Sequence, residues 1–129
     1  MGNPVMWFEV ASRDREGMKG FYGGMFDWRM NDMEAMPYTG VETGGEGIPG
    51  GIGSAPEGND GHVTFYVEVE DVEAGLAKAE SLGGTRVMGP MDIPSGKIGL
   101  FADPEGHVIG LMNMSGDLGA SRAELRSPK

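Results

Sequence analysis

Trp7-Phe8-Glu9-Val10-Ala11-Ser12-Arg13-Asp14-Arg15-Glu16-Gly17 lies without a gap over Thr64-Phe65-Tyr66-Val67-Glu68-Val69-Glu70-Asp71-Val72-Glu73-Ala74. Phe, Val, Asp and Glu coincide, each pair 57 residues apart. Each copy reads as a strand that passes through a loop into a helix capped by an aspartate. The same offset sets Gly51-Ile52-Gly53 over Val108-Ile109-Gly110 and Met30 over Val87. Two similar units in one small domain are expected to pack about a pseudo-twofold axis, with ligands gathering at the seam.

The repeat divides residues 1–114, read as one domain, into modules of about 4–55 and 62–113. Pro56-Glu57-Gly58-Asn59-Asp60-Gly61, rich in turn formers, joins them. The remaining tail, 115–129, has few apolar residues beyond Leu118 and Leu125, and is read as loose or as a short helix docked on a partner.

At 129 residues the chain is long enough for one real core and too short for two independent ones. It has no cysteine, which removes disulfide frameworks and thiol chemistry. No basic segment leads into an apolar run at the N-terminus, and position 6 is Met where a myristoylation motif needs Ser or Thr. A soluble cytoplasmic protein is the expectation. Twenty acidic against ten basic residues give a net charge of −10. That argues against nucleic acid and anionic membrane surfaces, which need Lys and Arg, and it suits a cationic ligand. Solubility alone is the plainer reading of the same charge.

Periodicity fills in the elements. A strand over 5–10 precedes a helix with Met18, Phe21, Tyr22 and Met25 on one face, and short strands follow near 28–31, 38–42 and 51–55. In the second unit a strand over 62–69 leads into a helix capped by Asp71, with Val72, Leu76, Ala79 and Leu82 inward. Gly83-Gly84 is its stop. Strands at 85–88, 97–102 and 107–112 complete the unit. The last two form a hairpin across Asp103-Pro104-Glu105-Gly106, which carries the residues of a type I turn. The order is βαβββ twice, an α+β chain.

That order resembles the vicinal-oxygen-chelate superfamily, the glyoxalase/bleomycin-resistance/dioxygenase fold. The resemblance rests on Trp7-Phe8-Glu9-Val10 with Asp14, Phe21-Tyr22 and Met25-Phe26-Asp27-Trp28. It rests equally on Tyr66-Val67-Glu68-Val69-Glu70-Asp71-Val72 and on Asp103-Pro104-Glu105-Gly106-His107-Val108-Ile109-Gly110-Leu111. It implies two curled mixed sheets enclosing a cavity, helices outside, and a homodimer.

Strand alternation assigns the faces. Phe8, Val10, Phe65, Val67 and Val69 share an apolar parity and should pack under the helices. Trp7, Glu9, His62, Thr64, Tyr66 and Glu68 share the other, and its mixture of aromatic and polar groups suits a ligand cavity. A solvated face is the alternative, and two large aromatics argue against it. Gly53 and Gly110, at matching places, would leave room for a larger organic molecule beside Trp7 and Tyr66. Met30, Met88, Met91 and Met112 are candidates for an adaptable wall, although eleven methionines also serve as core filler.

Metal-dependent members of the superfamily carry His or Glu in the first strand of each unit and a carboxylate, Gln or His in the last. The resemblance carries those places onto Trp7, Gly53, Thr64 and Gly110, and none is a strong ligand. No cofactor is therefore expected. A divalent metal held by a shifted set, Glu9, His62 and Glu68, is the alternative. His107 follows a turn where many polar residues would serve. Glu9 and Glu68 are also the candidates for a general base. No nucleophile–base order and no phosphate loop appear; the Gly-rich stretch 44–53 lacks the Lys and the strand-to-helix setting. Two classes stay open. One is a metal-independent protein that binds a small organic ligand through Trp7, Glu9, Gly53, His62, Thr64, Tyr66, Gly110 and Met112. The other is a metal-dependent lyase, isomerase or dioxygenase.

Overall fold

The computed structural model describes residues 2–114, so the tail expectation lies outside the described residues. The element order is β1 (Val5–Ser12), α1 (Arg15–Phe26), β2 (Arg29–Asp32), β3 (Thr39–Glu42), β4 (Gly50–Ser54), β5 (His62–Glu68), α2 (Val72–Ser81), β6 (Thr85–Ile93), β7 (Gly96–Ala102) and β8 (Val108–Met114). This is the α+β fold of two βαβββ modules that the repeat predicts. Two compact units carry it: residues 7–63, and residues 64–114 with the N-terminal 2–6.

In the first module the strand order is β2-β3-β4-β1, with β1 parallel to β4 and the other pairs antiparallel. The parallel pair needs a crossover, and α1 with β2 and β3 supplies it. Asp14 caps α1 by accepting from the Gly17 N–H at 3.0 Å, and Asp27 closes it in the left-handed region at φ 59°. The helix turns only part of its predicted apolar face inward: Met18 and Tyr22 are half-buried, while Phe21 and Met25 are exposed. Arg15 donates to the hydroxyl of buried Thr39 at 2.9 Å, Lys19 reaches Asp32 at 3.0 Å, and Gly23 lies against Met30. These anchors rotate α1 so that Phe21 and Met25 face outward.

The second module orders its strands β5-β8-β7-β6, with β5 parallel to β8. Asp71 caps α2 through the Ala74 N–H at 3.0 Å. Val72 and Leu76 are fully buried with Leu111, and Val67, Val69 and Phe101 pack around them. Leu82 is exposed rather than inward, because the helix ends at Ser81 and Leu82 is its C-cap. Phe65 is likewise exposed rather than packed under a helix. The strand predicted at 85–88 runs on to Ile93, with register shifts between Arg86 and Met91. In the Asp103–Gly106 turn the Gly106 N–H donates to the Asp103 carbonyl at 2.8 Å.

Candidate ligand-binding face

In the first module, register settles which side chains share a face. Glu9 pairs with Gly51, and Gly40 lies opposite Gly51 on the other side. Asn31 faces Gly40, and Arg29 faces Glu42. Trp7, Glu9, Arg29, Asn31, Gly40, Glu42, Gly51 and Gly53 therefore project to the side away from α1. A row of glycines across adjacent strands leaves a hollow.

Tyr38, in the chain entering β3, fills that hollow. A Cβ at Gly51 would overlap its ring, and one at Gly53 would stand 3.1 Å from it and 3.3 Å from Glu9 Oε2. The Trp7 Nε1–H donates to the Tyr38 hydroxyl at 2.8 Å, which leaves the phenol proton for a further acceptor. Burial pushes the Tyr38 phenol far above its ordinary value, the negative charge of Glu9 adds to the rise, and the Trp7 hydrogen bond partly offsets it. Tyr38 is thus a permanently protonated donor beside a carboxylate. At the other end of the row, Arg29 pairs with buried Glu42 at 3.0 Å.

The second module repeats the arrangement with different parts. Tyr66 pairs with Gly110, and a Cβ on Gly110 would overlap the Tyr66 ring. Thr64 is buried and donates its hydroxyl proton to the Val108 carbonyl. Met112, two residues on along the same face, is fully buried.

Register also moves one expected equivalence. Glu9–Gly51 corresponds to Tyr66–Gly110, so the counterpart of Gly110 is Gly51 rather than Gly53. The Gly-rich approach to β4 carries no side-chain pattern to fix its alignment, and a shift of two leaves every residue on its face.

Trp7, Glu9 and Gly53 come together around Tyr38. Thr64, Tyr66, Gly110 and Met112 share a face of the second module. His62 lines an open cleft of about 450 Å3 with Val10, Ser12, Asp14, Met18 and Asp60. Glu68 lines a smaller one of about 240 Å3 with Asn3, Pro4 and Asn113. Of the predicted methionine wall, Met30 and Met88 are half-buried and Met91 is exposed. Sequence reasoning missed Tyr38, Arg29 and Glu42. The available signal was an aromatic two residues ahead of Gly40, in phase with the glycine row.

The divalent metal of the superfamily does not fit these residues. Thr64 spends its hydroxyl on a carbonyl, Trp7 offers only an N–H donor, and the glycines are roofed by tyrosine rings. Among the described residues no three His, Cys, Asp or Glu side chains form a group that could hold a metal. No helix among the described residues is long and apolar enough to cross a membrane.

The model of the glyoxalase-like domain family matches residues 7–112. The anthracycline biosynthesis protein DnrV of Streptomyces peucetius is 30% identical over 118 residues, covering 78% of this chain and 43% of DnrV. The chain spans less than half the length of the curated relatives it matches. Among solved structures, methylmalonyl-CoA epimerase from Mycobacterium tuberculosis aligns with a TM-score of 0.64 at 15% identity, over 90% of this chain and 91% of that one. A glyoxalase/bleomycin resistance protein/dioxygenase superfamily member from Vibrio splendidus aligns with 0.58 at 13% identity, over 87% and 99%. At such identities the structural likeness speaks to the fold alone.

Proposed function

The chain belongs to the glyoxalase-like domain family, and from that membership and its donor-poor ligand positions we propose that it binds a small organic cation without a divalent metal. The observation that carries this reading is Tyr38, hydrogen-bonded to Trp7 and seated over Gly51 and Gly53, where relatives would present metal donors. With that hollow filled, a ligand rests on the Trp7–Tyr38 pair rather than on an ion. The indole face attracts a cation by about 0.5–2 kcal/mol, more as the site loses water. Glu9 on the same face supplies the opposite charge. Tyr38, held protonated, donates its O–H to an acceptor on the ligand. The chain's net charge of −10 favours approach of a cation.

Titration calorimetry of chelator-treated protein with benzyltrimethylammonium, against neutral benzyl alcohol, tests the reading. Saturable binding of the cation alone is expected, weakened about tenfold or more by Glu9→Gln. Equal affinity for both probes, or binding that appears only after a divalent metal is added, contradicts it.

A further inference from the structure

Arg29 enters the ligand-binding face of the first module from the strand farthest from Trp7, and its partner sets it apart. Glu42 is 7% exposed, whereas the carboxylates of the other ion pairs among the described residues are between 35% and 95% exposed. A buried ion pair adds little net stability, because desolvation of the charges offsets their attraction. What this pair supplies is orientation. Glu42 fixes one guanidinium nitrogen at 3.0 Å, and half of the Arg29 side chain stays open to solvent. A guanidinium held on one nitrogen and open along its other edge is a preorganised carboxylate donor.

Register gives the span. Arg29 pairs with Glu42, and the pairings of Gly51 with Gly40 and Glu9, carried two residues along, set Pro49 between Glu42 and Trp7. Arg29, Glu42, Pro49 and Trp7 therefore form one row across β2, β3, β4 and β1. The two middle residues are buried. The guanidinium leans one strand inward to Glu42, which leaves about two strand spacings, roughly 10 Å, between it and Trp7. The ends of the row have opposite preferences. One offers the indole with the Glu9 carboxylate beside it, the other the guanidinium with the exposed Asn31 amide. A simple cation uses the first end and is repelled by the second.

We propose that the ligand is a zwitterion lying along this row, its cation against Trp7 and its carboxylate on the open edge of Arg29. The inference rests on the cation-binding reading and deepens it by naming the ligand's second charge and the span between the two. The carboxylate accepts from the guanidinium and from the Asn31 amide. Arg29 thus sets which way round the ligand lies. It also selects for length, because a short zwitterion seated on Trp7 cannot carry its carboxylate across the row. The ligand class is an elongated amino acid or betaine whose charges stand about 10 Å apart.

Titration calorimetry of the chelator-treated full chain tests it with three probes: ω-trimethylammonio-octanoate, its methyl ester, and the short trimethylammonioacetate. The long zwitterion should bind about tenfold or more tighter than either of the others. Arg29→Gln alone strands a buried carboxylate, so the decisive variant is Arg29→Gln with Glu42→Gln, its fold checked by circular dichroism. In that variant the long zwitterion and its ester should bind alike. Arg29→Lys, which keeps the charge and loses the fork, should retain only part of the difference. Equal binding of zwitterion and ester by the unmodified protein overturns this inference and leaves the cation reading standing. Equal binding of the long and short zwitterions, or an advantage over the ester that survives in the double variant, overturns it too. Binding of none of the three overturns both readings.

Discussion

The two modules share a topology and differ in what they bury. In the second, α2 drives Val72 and Leu76 into a core with Leu111. In the first, α1 is held by Arg15, Lys19 and Asp32 around buried Thr39 and buries none of its own residues. Each module has a glycine hollow on the sheet face away from its helix, and each fills it with a tyrosine from a different place. Tyr66 is the cross-strand neighbour of Gly110, whereas Tyr38 arrives from the loop before β3 and is tied to Trp7. What the repeat conserves between its two halves is strand parity and the hollow. The means of closing the hollow is local, and only the first module closes it with a phenol set between an indole and a carboxylate.

The largest expected effect separates the helices. Leu76→Ala should destabilise the chain by about 2–5 kcal/mol, while Met18→Ala, on the half-buried side of α1, should cost about 1 kcal/mol. Urea unfolding measures both, and equal costs would erase the distinction between a core helix and a docked one. Next come the hollows. Gly51→Ala and Gly110→Ala should each cost about 1–3 kcal/mol by overpacking. Most of the Gly51→Ala cost should vanish in a Tyr38→Ala background, and most of the Gly110→Ala cost in Tyr66→Ala. Additive double mutants would show that the rings do not occupy the glycine space.

A third prediction sharpens the difference between the tyrosines. Followed by ultraviolet difference spectra, Tyr38 should titrate above the usual tyrosine range, and Glu9→Gln should lower it only part of the way, because burial is the larger cause. The folded value lies above the unfolded one, so the unfolded chain loses its proton first. Stability from this group is therefore present below the ordinary tyrosine value and is lost as pH rises past it. The smallest effect is at Asp103, whose carboxylate accepts from the His107 N–H, the His107 ring and the Glu105 N–H and is held below its ordinary value. Its contribution is present above the ordinary carboxyl value and is lost as pH falls through the lower folded one. Asp103→Asn should flatten the acid limb of a thermal-melting profile, and an unchanged limb would assign that slope to Asp32 and Glu73, which are also held low.

The architecture was legible because its signals are local. Asp14 and Asp71 cap the helices they were read to cap, and the Asp103–Gly106 turn forms where its residues predict. Side-chain parity was legible too: Trp7 and Glu9 share a face, as do Thr64 and Tyr66. The sequence could not show the roll of α1, because two basic residues reaching polar partners outweigh a hydrophobic stripe that periodicity alone would turn inward. Tyr38 was hidden for a similar reason. It lies thirty-one residues from Trp7, and its phase with Gly40 gives a face but not the partner that its ring meets. The Gly51-versus-Gly53 equivalence turned on strand register in a segment without side chains to report it.

The central claim is that the chain's own aromatic side chains stand where relatives hold a divalent ion. Plasma mass spectrometry tests this most directly, on protein purified without chelator or affinity tag and again after incubation with Fe(II), Mn(II), Ni(II) and Zn(II) followed by desalting. The account predicts only trace metal in every sample, and the same result for Tyr38→Phe. Near-stoichiometric retention of any one metal by the unmodified protein would contradict it.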